Sequence, residues 1–256
     1  MGKVIAIGNQ KGGSGKTTTT RSLGSALAEM GKRTLLVDMD PQASLSEGCG
    51  FPPHLLERTT YHALLGVCHL ADTIVALDKD LDLAPTNLQL SAAEVQLISM
   101  SQREGRLRDA VKPAREHYDY ILIDCPPSFG LLTINTLVAA DSVLIPMTCD
   151  YYTMLGVGLM LEAVRGIQAG VNSGLQVEGI LPTRFDSRTI HAKRILAQAK
   201  AAFGDDYKVY DIIIYESVKL KECPASGKSI LEYAGSSREA MAYREVAREI
   251  VNGQSR

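Results

Sequence analysis

"GNQKGGSGKTTTT", residues 8–20, decides how the rest of the chain is read. It follows a short β-branched run, "KVIAIG", and leads into a helical pattern, so it sits where a strand turns into a helix. Gly12, Gly13 and Gly15 let the backbone turn tightly and approach a polyphosphate with no side chain in the way. Amides of this loop, and of the helix beginning near Lys16, point at the anion, and the helix dipole adds to the attraction. Lys16 can reach the β- and γ-phosphates of a nucleotide such as ATP, and Thr17 offers a hydroxyl to Mg²⁺. Yet the ordinary loop, G-x-x-x-x-G-K-[ST], needs a glycine where this chain has Gln10. A second lysine, Lys11, stands five residues before Lys16.

Working outward, "TTTTRSLGSALAEMGK" places Leu23, Ala26, Leu27 and Met30 at helical spacing, with Gly31 closing the helix. "RTLLVDMD" then reads as a buried strand ending in two aspartates, which completes a strand–loop–helix–strand unit. The pattern recurs in "YDYILIDCPPS", "DSVLIPM" and "LQVEGILPT", with helices expected over 154–168, 189–203 and 237–251. Residues 42–118 are less regular, with an extra strand suggested at "LDLAP" and a charged helix through "SQREGRLRDAVKPAREHY". No linker, repeat or low-complexity tract breaks the chain. The expectation is one α/β domain over 1–256 of the phosphate-loop NTPase kind. Its mostly parallel twisted β-sheet is flanked by helices on both faces, with ligands at the carboxyl ends of the strands.

Phosphoryl transfer needs an acid to anchor a metal, and Asp124, at the end of "YILID", is placed for it. Alternate residues at a strand end face one side, so Asp38 and Asp40 of "LLVDMDPQ" can both point at a nucleotide. One would support the metal shell while the other orients the attacking water.

Composition narrows the class. A chain of 256 residues with 45% hydrophobic and 22% charged residues is ordinary for a globular protein, and its net charge is −2. Any affinity for nucleic acid must therefore come from a local patch. The five cysteines are scattered without a C-x-x-C pair, which argues against a zinc ribbon, an iron–sulfur scaffold or a disulfide framework. The opening run is too short for a signal peptide, Ala6 breaks the myristoylation pattern, and no stretch approaches the roughly 18 apolar residues that span a bilayer. A cytoplasmic protein is expected.

"NQKGGSGKTTTT", "LLVDMDPQ" and "YILIDCPPS" together resemble the deviant Walker motifs of the ParA/Soj partition ATPases, within the MinD/ParA/iron-protein superfamily. The resemblance continues through "DYYTMLGV", "RFDSRT" and "KLKECPASGKSI", and so covers essentially the whole chain. It implies a single ParA-like ATPase domain whose ATP-bound form is a sandwich homodimer. Lys11 would then reach across to the phosphates of the partner's ATP, with Gly12 leaving room for the opposing loop. Lys11, Gly12, Gly13, Ser14, Gly15, Lys16, Thr17 and Thr18 would bind nucleotide, and Pro224 would lie against the adenine. Asp40 would orient the hydrolytic water, Asp124 would hold Mg²⁺ through water, and Asp38 would support the metal site.

The same resemblance implies non-specific binding of double-stranded DNA by the dimer, association with the nucleoid, and stimulation by a ParB-like protein. Between residues 184 and 200 lie Arg184, Arg188, Lys193, Arg194 and Lys200 against Asp186, five minus one, net +4. The family's DNA-contacting arginines map onto Arg188 and Lys219. Where the family commonly shows I-P-R-N-V-R, however, this chain has "IYESVK", and Glu216 stands at an arginine position. That shifts the expected patch towards Lys221 and Arg194. Because its first strand comes at once, the chain is expected to lack a helix-turn-helix extension.

Two rival readings share the fold. A MinD-like ATPase would bind membrane through a C-terminal amphipathic helix. Here the face formed by Ala240, Tyr243, Ala247, Ile250 and Val251 is modest in bulk, so docking on the domain is expected instead, with no membrane partner. A metabolic ATP-dependent synthetase would need an organic-substrate pocket, for which Arg184 and Tyr152 are the available candidates.

Overall fold

The computed structural model describes residues 1–150 and 153–253. Apolar runs form seven strands among them: β1 (Lys3–Ile7), β2 (Thr34–Asp38), β3 (Val75–Asp78), β4 (Leu81–Ala84), β5 (Tyr120–Asp124), β6 (Ser142–Thr148) and β7 (Gln176–Thr183). They make one sheet in the order β3-β4-β2-β5-β1-β6-β7, parallel except for β3. Alternation along β1 sends Val4 and Ala6 to one core and Ile5 and Ile7 to the other, so both faces of the sheet are covered.

The helices divide between those faces. Helices α1 (Lys16–Glu29), α2 (Ser44–Gly48), α10 (Ile230–Ala234) and α11 (Arg238–Gly253) place apolar residues in the core with Ile5 and Ile7. The opposite core takes residues from α3 (Thr60–Leu65), α4 (Leu90–Ile98), α5 (Arg106–Val111), α6 (Leu131–Ala139), α7 (Thr153–Ala169) and α8 (Ile190–Phe203). A further helix, α9 (Val218–Glu222), is one turn long and buries none of its residues. In α11, Ala240, Tyr243, Ala247 and Ile250 are buried, and the Tyr243 hydroxyl meets that of Thr19 on α1 at 3.2 Å. The docked C-terminal helix is therefore observed, and its apolar face is already covered by the domain.

The irregular region holds the differences from expectation. The strand at "LDLAP" is present as β4, but it is joined by an antiparallel partner, β3, across a turn in which Asp80 takes a positive φ of 59°. The burial of β3 alternates between half-buried and exposed, so its sequence carries little apolar signal. The long charged helix is cut down to α5 and a 3-10 turn over Lys112–Glu116. Gln102 at φ 53° precedes it, and Pro113, which has no amide hydrogen, opens the tighter turn.

Leu36, in β2, is fully buried beneath α1, where its Cδ2 methyl, with a methyl of Leu81 beside it, fills the space left by Gly24. Leu36→Ala should destabilise the fold by about 2–5 kcal/mol, read from the midpoint of denaturant unfolding.

Candidate functional site

Parallel pairing sets Ile7 opposite Asp124 and Asp124 opposite Asp38, so three strand ends open at one level. The loop after β1 crosses this edge. Gly15 caps α1 at φ 88°, a backbone that side chains rarely adopt, and a Cβ at Gly12 would meet nothing within 4 Å. Asn9 fastens the loop's entry, donating through Nδ2 to the Pro146 carbonyl at 2.7 Å and accepting the Lys11 amide at 2.9 Å. The end of β7 fastens its far side. Thr183 Oγ1 donates to the Ser14 carbonyl at 2.7 Å, and an Arg184 guanidinium N–H donates to the Gly13 carbonyl at 3.0 Å.

Above the loop lies a cavity of about 490 Å³, lined by Gly12 to Thr18, Asp40, Pro127, Arg184, Glu216 and Pro224. A small apolar recess of about 40 Å³ adjoins it beside Leu45, Leu220 and Pro224. Lys16 is buried and folds back so that Nζ donates to the Lys11 carbonyl at 3.3 Å. Lys11 instead forms an ion pair with Asp150 and donates to Thr148 Oγ1 at 3.4 Å. Asp150 is itself held by the hydroxyls of Thr148 and Thr153. Burial works to raise its carboxyl, but Lys11 and the two hydroxyls outweigh that and hold it below the usual range.

The three acidic residues differ in their surroundings. Asp124 is fully buried and accepts the Thr17 hydroxyl at 2.7 Å and the Thr20 hydroxyl at 3.4 Å. Asp38, also fully buried, accepts the Ser46 amide and hydroxyl on one oxygen and the Asp40 amide on the other. Asp40 lines the cavity and accepts the Gln42 amide at 3.0 Å. Burial raises Asp124 well above the carboxylate range, and Asp38 beside it adds to the shift, against Thr17 and Lys16. Burial likewise pushes Asp38 from 3.8 to about 6, opposed by its hydrogen bonds from Ser46 and Asp40.

These residues fit a nucleotide with Mg²⁺. The Ser14 hydroxyl is buried in the loop without a hydrogen-bond partner, and the desolvated acids lack sufficient cations of their own. Among the described residues no cluster of three His, Cys, Asp or Glu side chains is placed to hold a metal unaided. One hydroxyl from Thr17 and one carboxylate from Asp124 make the small donor set that suits Mg²⁺, which keeps several waters.

Residues 2–177 match the AAA domain family. The chain is 45% identical to the sporulation initiation inhibitor protein Soj of Bacillus subtilis, over 98% of both chains. It is 42% identical to the chromosome partitioning protein ParA of Myxococcus xanthus, over 98% of this chain and 88% of that one. The chain belongs to the ParA/Soj family of chromosome-partitioning ATPases. Among solved structures it is similar to cobyrinic acid a,c-diamide synthase from Mycobacterium smegmatis with bound ADP and magnesium. That likeness has a TM-score of 0.87 and 35% identity, and covers 100% of this chain and 96% of the other.

Within this ParA/Soj chain the fold brings Lys16, Thr17, Asp40 and Pro224 to one cavity, although their positions span 16 to 224, and Asp124 lies buried behind Thr17. Asp38 does not line the cavity; one of its oxygens holds the Asp40 amide and the other holds Ser46 of α2. The expected basic surface is rearranged. Arg184 faces the cavity and pairs with Glu216, Arg188 pairs with Asp186, and Lys200 pairs with Asp211. Lys221 also pairs with Glu216 at 2.6 Å and lines the cavity. With Glu216 and Asp211 counted beside Asp186, the segment's balance falls from net +4 to five minus three, net +2, carried by Lys193 and Arg194, which are exposed there, with Lys219 exposed nearby. Sequence reading missed Asp150 as the partner of Lys11 and Ser46 as the partner of Asp38. Asp150 opens the "DYYTMLGV" segment, but no local spacing marks either contact. Tyr152 lies outside the described residues.

Between pH about 4 and 6 the folded chain keeps a proton on Asp38 that the unfolded chain has released. This carboxyl therefore lowers stability as pH rises through that window, and adds no further change above it. In nucleotide-free and metal-free protein, the Asp38 carboxyl carbon should titrate in NMR with a midpoint near 6; a midpoint at 4 would refute the dry environment.

Proposed function

We propose that the chain is an ATP-driven switch. It would hydrolyse ATP to ADP and phosphate, dimerise when ATP is bound, and in that form bind double-stranded DNA without sequence preference. The observation that carries this reading is the division of labour between two lysines. Lys16 lies over the phosphate loop, whereas the Lys11 ammonium, beside an open Gly12, turns to Thr148 at the end of β6 and to Asp150 just after it. Lys11 can therefore leave Asp150 and enter the site of a second copy, neutralising charge on that copy's nucleotide much as an arginine finger does. Dimerisation then depends on the phosphates that attract it.

Within one chain, Lys16 and the loop amides hold the phosphates, and Pro224 offers an apolar surface to the base. Thr17 and Asp124 would hold Mg²⁺, which neutralises charge on the phosphates. Asp40 orients the water that attacks the terminal phosphorus, and Asp38 keeps the Asp40 loop in place. Turnover would be slow until a ParB-like protein stimulates it, and repeated release and rebinding would carry a cargo over the nucleoid.

DNA contacts fall to Arg194, Lys219 and Lys193, with Arg188 and Lys221 contributing once their pairs with Asp186 and Glu216 open. Few phosphate contacts per chain make the affinity modest and salt-sensitive, and dimerisation doubles them. The likeness to a structure named as a cobyrinic acid diamide synthase supports a second reading, a metabolic ATP-dependent enzyme. Stimulation of ATP turnover by DNA would favour the switch over that enzyme.

Asp40→Ala should keep ATP binding and dimerisation while abolishing hydrolysis. Its binding to random-sequence duplex should need ATP, fail with ADP, and weaken as salt rises. Absence of DNA binding by an intact ATP dimer would refute the DNA-binding part. Lys11→Ala should bind ATP yet stay monomeric in light scattering, whereas Lys16→Ala should lose nucleotide altogether. ATP-dependent dimers of Lys11→Ala would refute the role given to that lysine.

A further inference from the structure

Arg184 leaves β7 with φ 50°, a backbone that a non-glycine residue adopts only when its surroundings enforce it. Its neighbours supply the enforcement. Thr183 and Arg184 donate to two successive loop carbonyls, those of Ser14 and Gly13, and the Phe185 amide donates to the Ile214 carbonyl at 3.1 Å. The guanidinium is thereby delivered to the cavity that the phosphate loop lines, and it remains about half exposed, at 47%.

Only part of its donor fork serves the loop. The Nε–H and the other terminal N–H group donate to Glu216 at 2.9 and 3.5 Å. Glu216 is also gripped by Lys221 at 2.6 Å, and all three side chains line the same cavity. Burial works to raise the Glu216 carboxyl, but Arg184 and Lys221 outweigh it and hold it below the usual range. Two cations thus share one carboxylate at the cavity mouth, two minus one, net +1. A carboxylate and a phosphate are alternative partners for the same planar fork.

We propose that Arg184 is a further nucleotide-binding residue within the chain, that it takes a phosphate oxygen, and that Glu216 is its internal competitor. Glu216 occupies the guanidinium in the absence of nucleotide. Entry of the phosphates displaces the carboxylate from the guanidinium. This rests on the reading of the cavity as an ATP site. It adds a cation that the loop motif does not contain, and it gives the glutamate at position 216 a task at the nucleotide rather than at a DNA surface.

The test is equilibrium binding of ATP, ADP and adenosine to wild type, Glu216→Gln, Arg184→Gln and the double variant, with melting of each free protein as a check on folding. Glu216→Gln should tighten ATP roughly threefold to tenfold, Arg184→Gln should weaken it roughly tenfold, and adenosine should bind all four alike. In the Arg184→Gln background, removal of the carboxylate should have a smaller effect, since the two residues act on each other. Unchanged or weaker ATP binding by a folded Glu216→Gln would overturn the proposal. So would equal shifts for adenosine and ATP, because a clamp that only shapes the loop or the base pocket does not sense phosphate. Wild type that binds none of the three would overturn the ATP reading itself, and this inference with it.

Discussion

Backbone hydrogen bonds between β1, β5 and β2 fix a register on which every later contact depends. Ile7, Asp124 and Asp38 end at one level because their strands pair in parallel without a bulge. Moving β5 by one residue would turn Asp124 to the other face of the sheet and take its carboxylate from Thr17. The phosphate loop can then be short and nearly bare. Its position is set by the strand before it and the helix after it, with Asn9, Thr183 and Arg184 fastening its carbonyls and amides.

The site carries unbalanced charge on purpose of geometry rather than by isolated residues. Two fully buried acids, Asp38 and Asp124, and the nearly buried Asp40 stand near a single buried lysine, Lys16. Desolvation raises Asp38 and Asp124 because the charged forms lack water and lack enough cations. At the cavity mouth the sign reverses, where Arg184 and Lys221 outnumber Glu216. A bound cation inside and a polyanion across the loop would complete both halves. The folded chain therefore holds its groups ready at some expense in stability, as sites built for charged ligands do.

Outside the site, charge is spent locally. Arg188 and Lys200 each meet a carboxylate, so a count of basic residues overstates the positive field. These exposed pairs are worth little to stability, since water screens them and long side chains lose freedom in making them. Such pairs can open when a stronger anion arrives. C-terminal packing follows a different logic. The apolar stripe of α11 is small in bulk, which suits close approach to α1, and its Tyr243 hydroxyl finds Thr19 inside the core.

The sequence by itself determined the strand–loop–helix unit, the three acids at strand ends and the layered α/β plan. Those features are encoded by local patterns: β-branched runs, glycines at the loop and a helical period after it. It also placed β4 and the docking of α11. The antiparallel β3, the shortened α5, and the pairings Lys11–Asp150, Asp38–Ser46 and Arg184–Glu216–Lys221 were decided only by the tertiary structure. Each pairing joins residues from segments that no single spacing relates, and the choice among many nearby opposite charges depends on where β7 and the loops come to lie. Residue type and local period can be read along a chain. Which charge meets which is a property of distances across the fold.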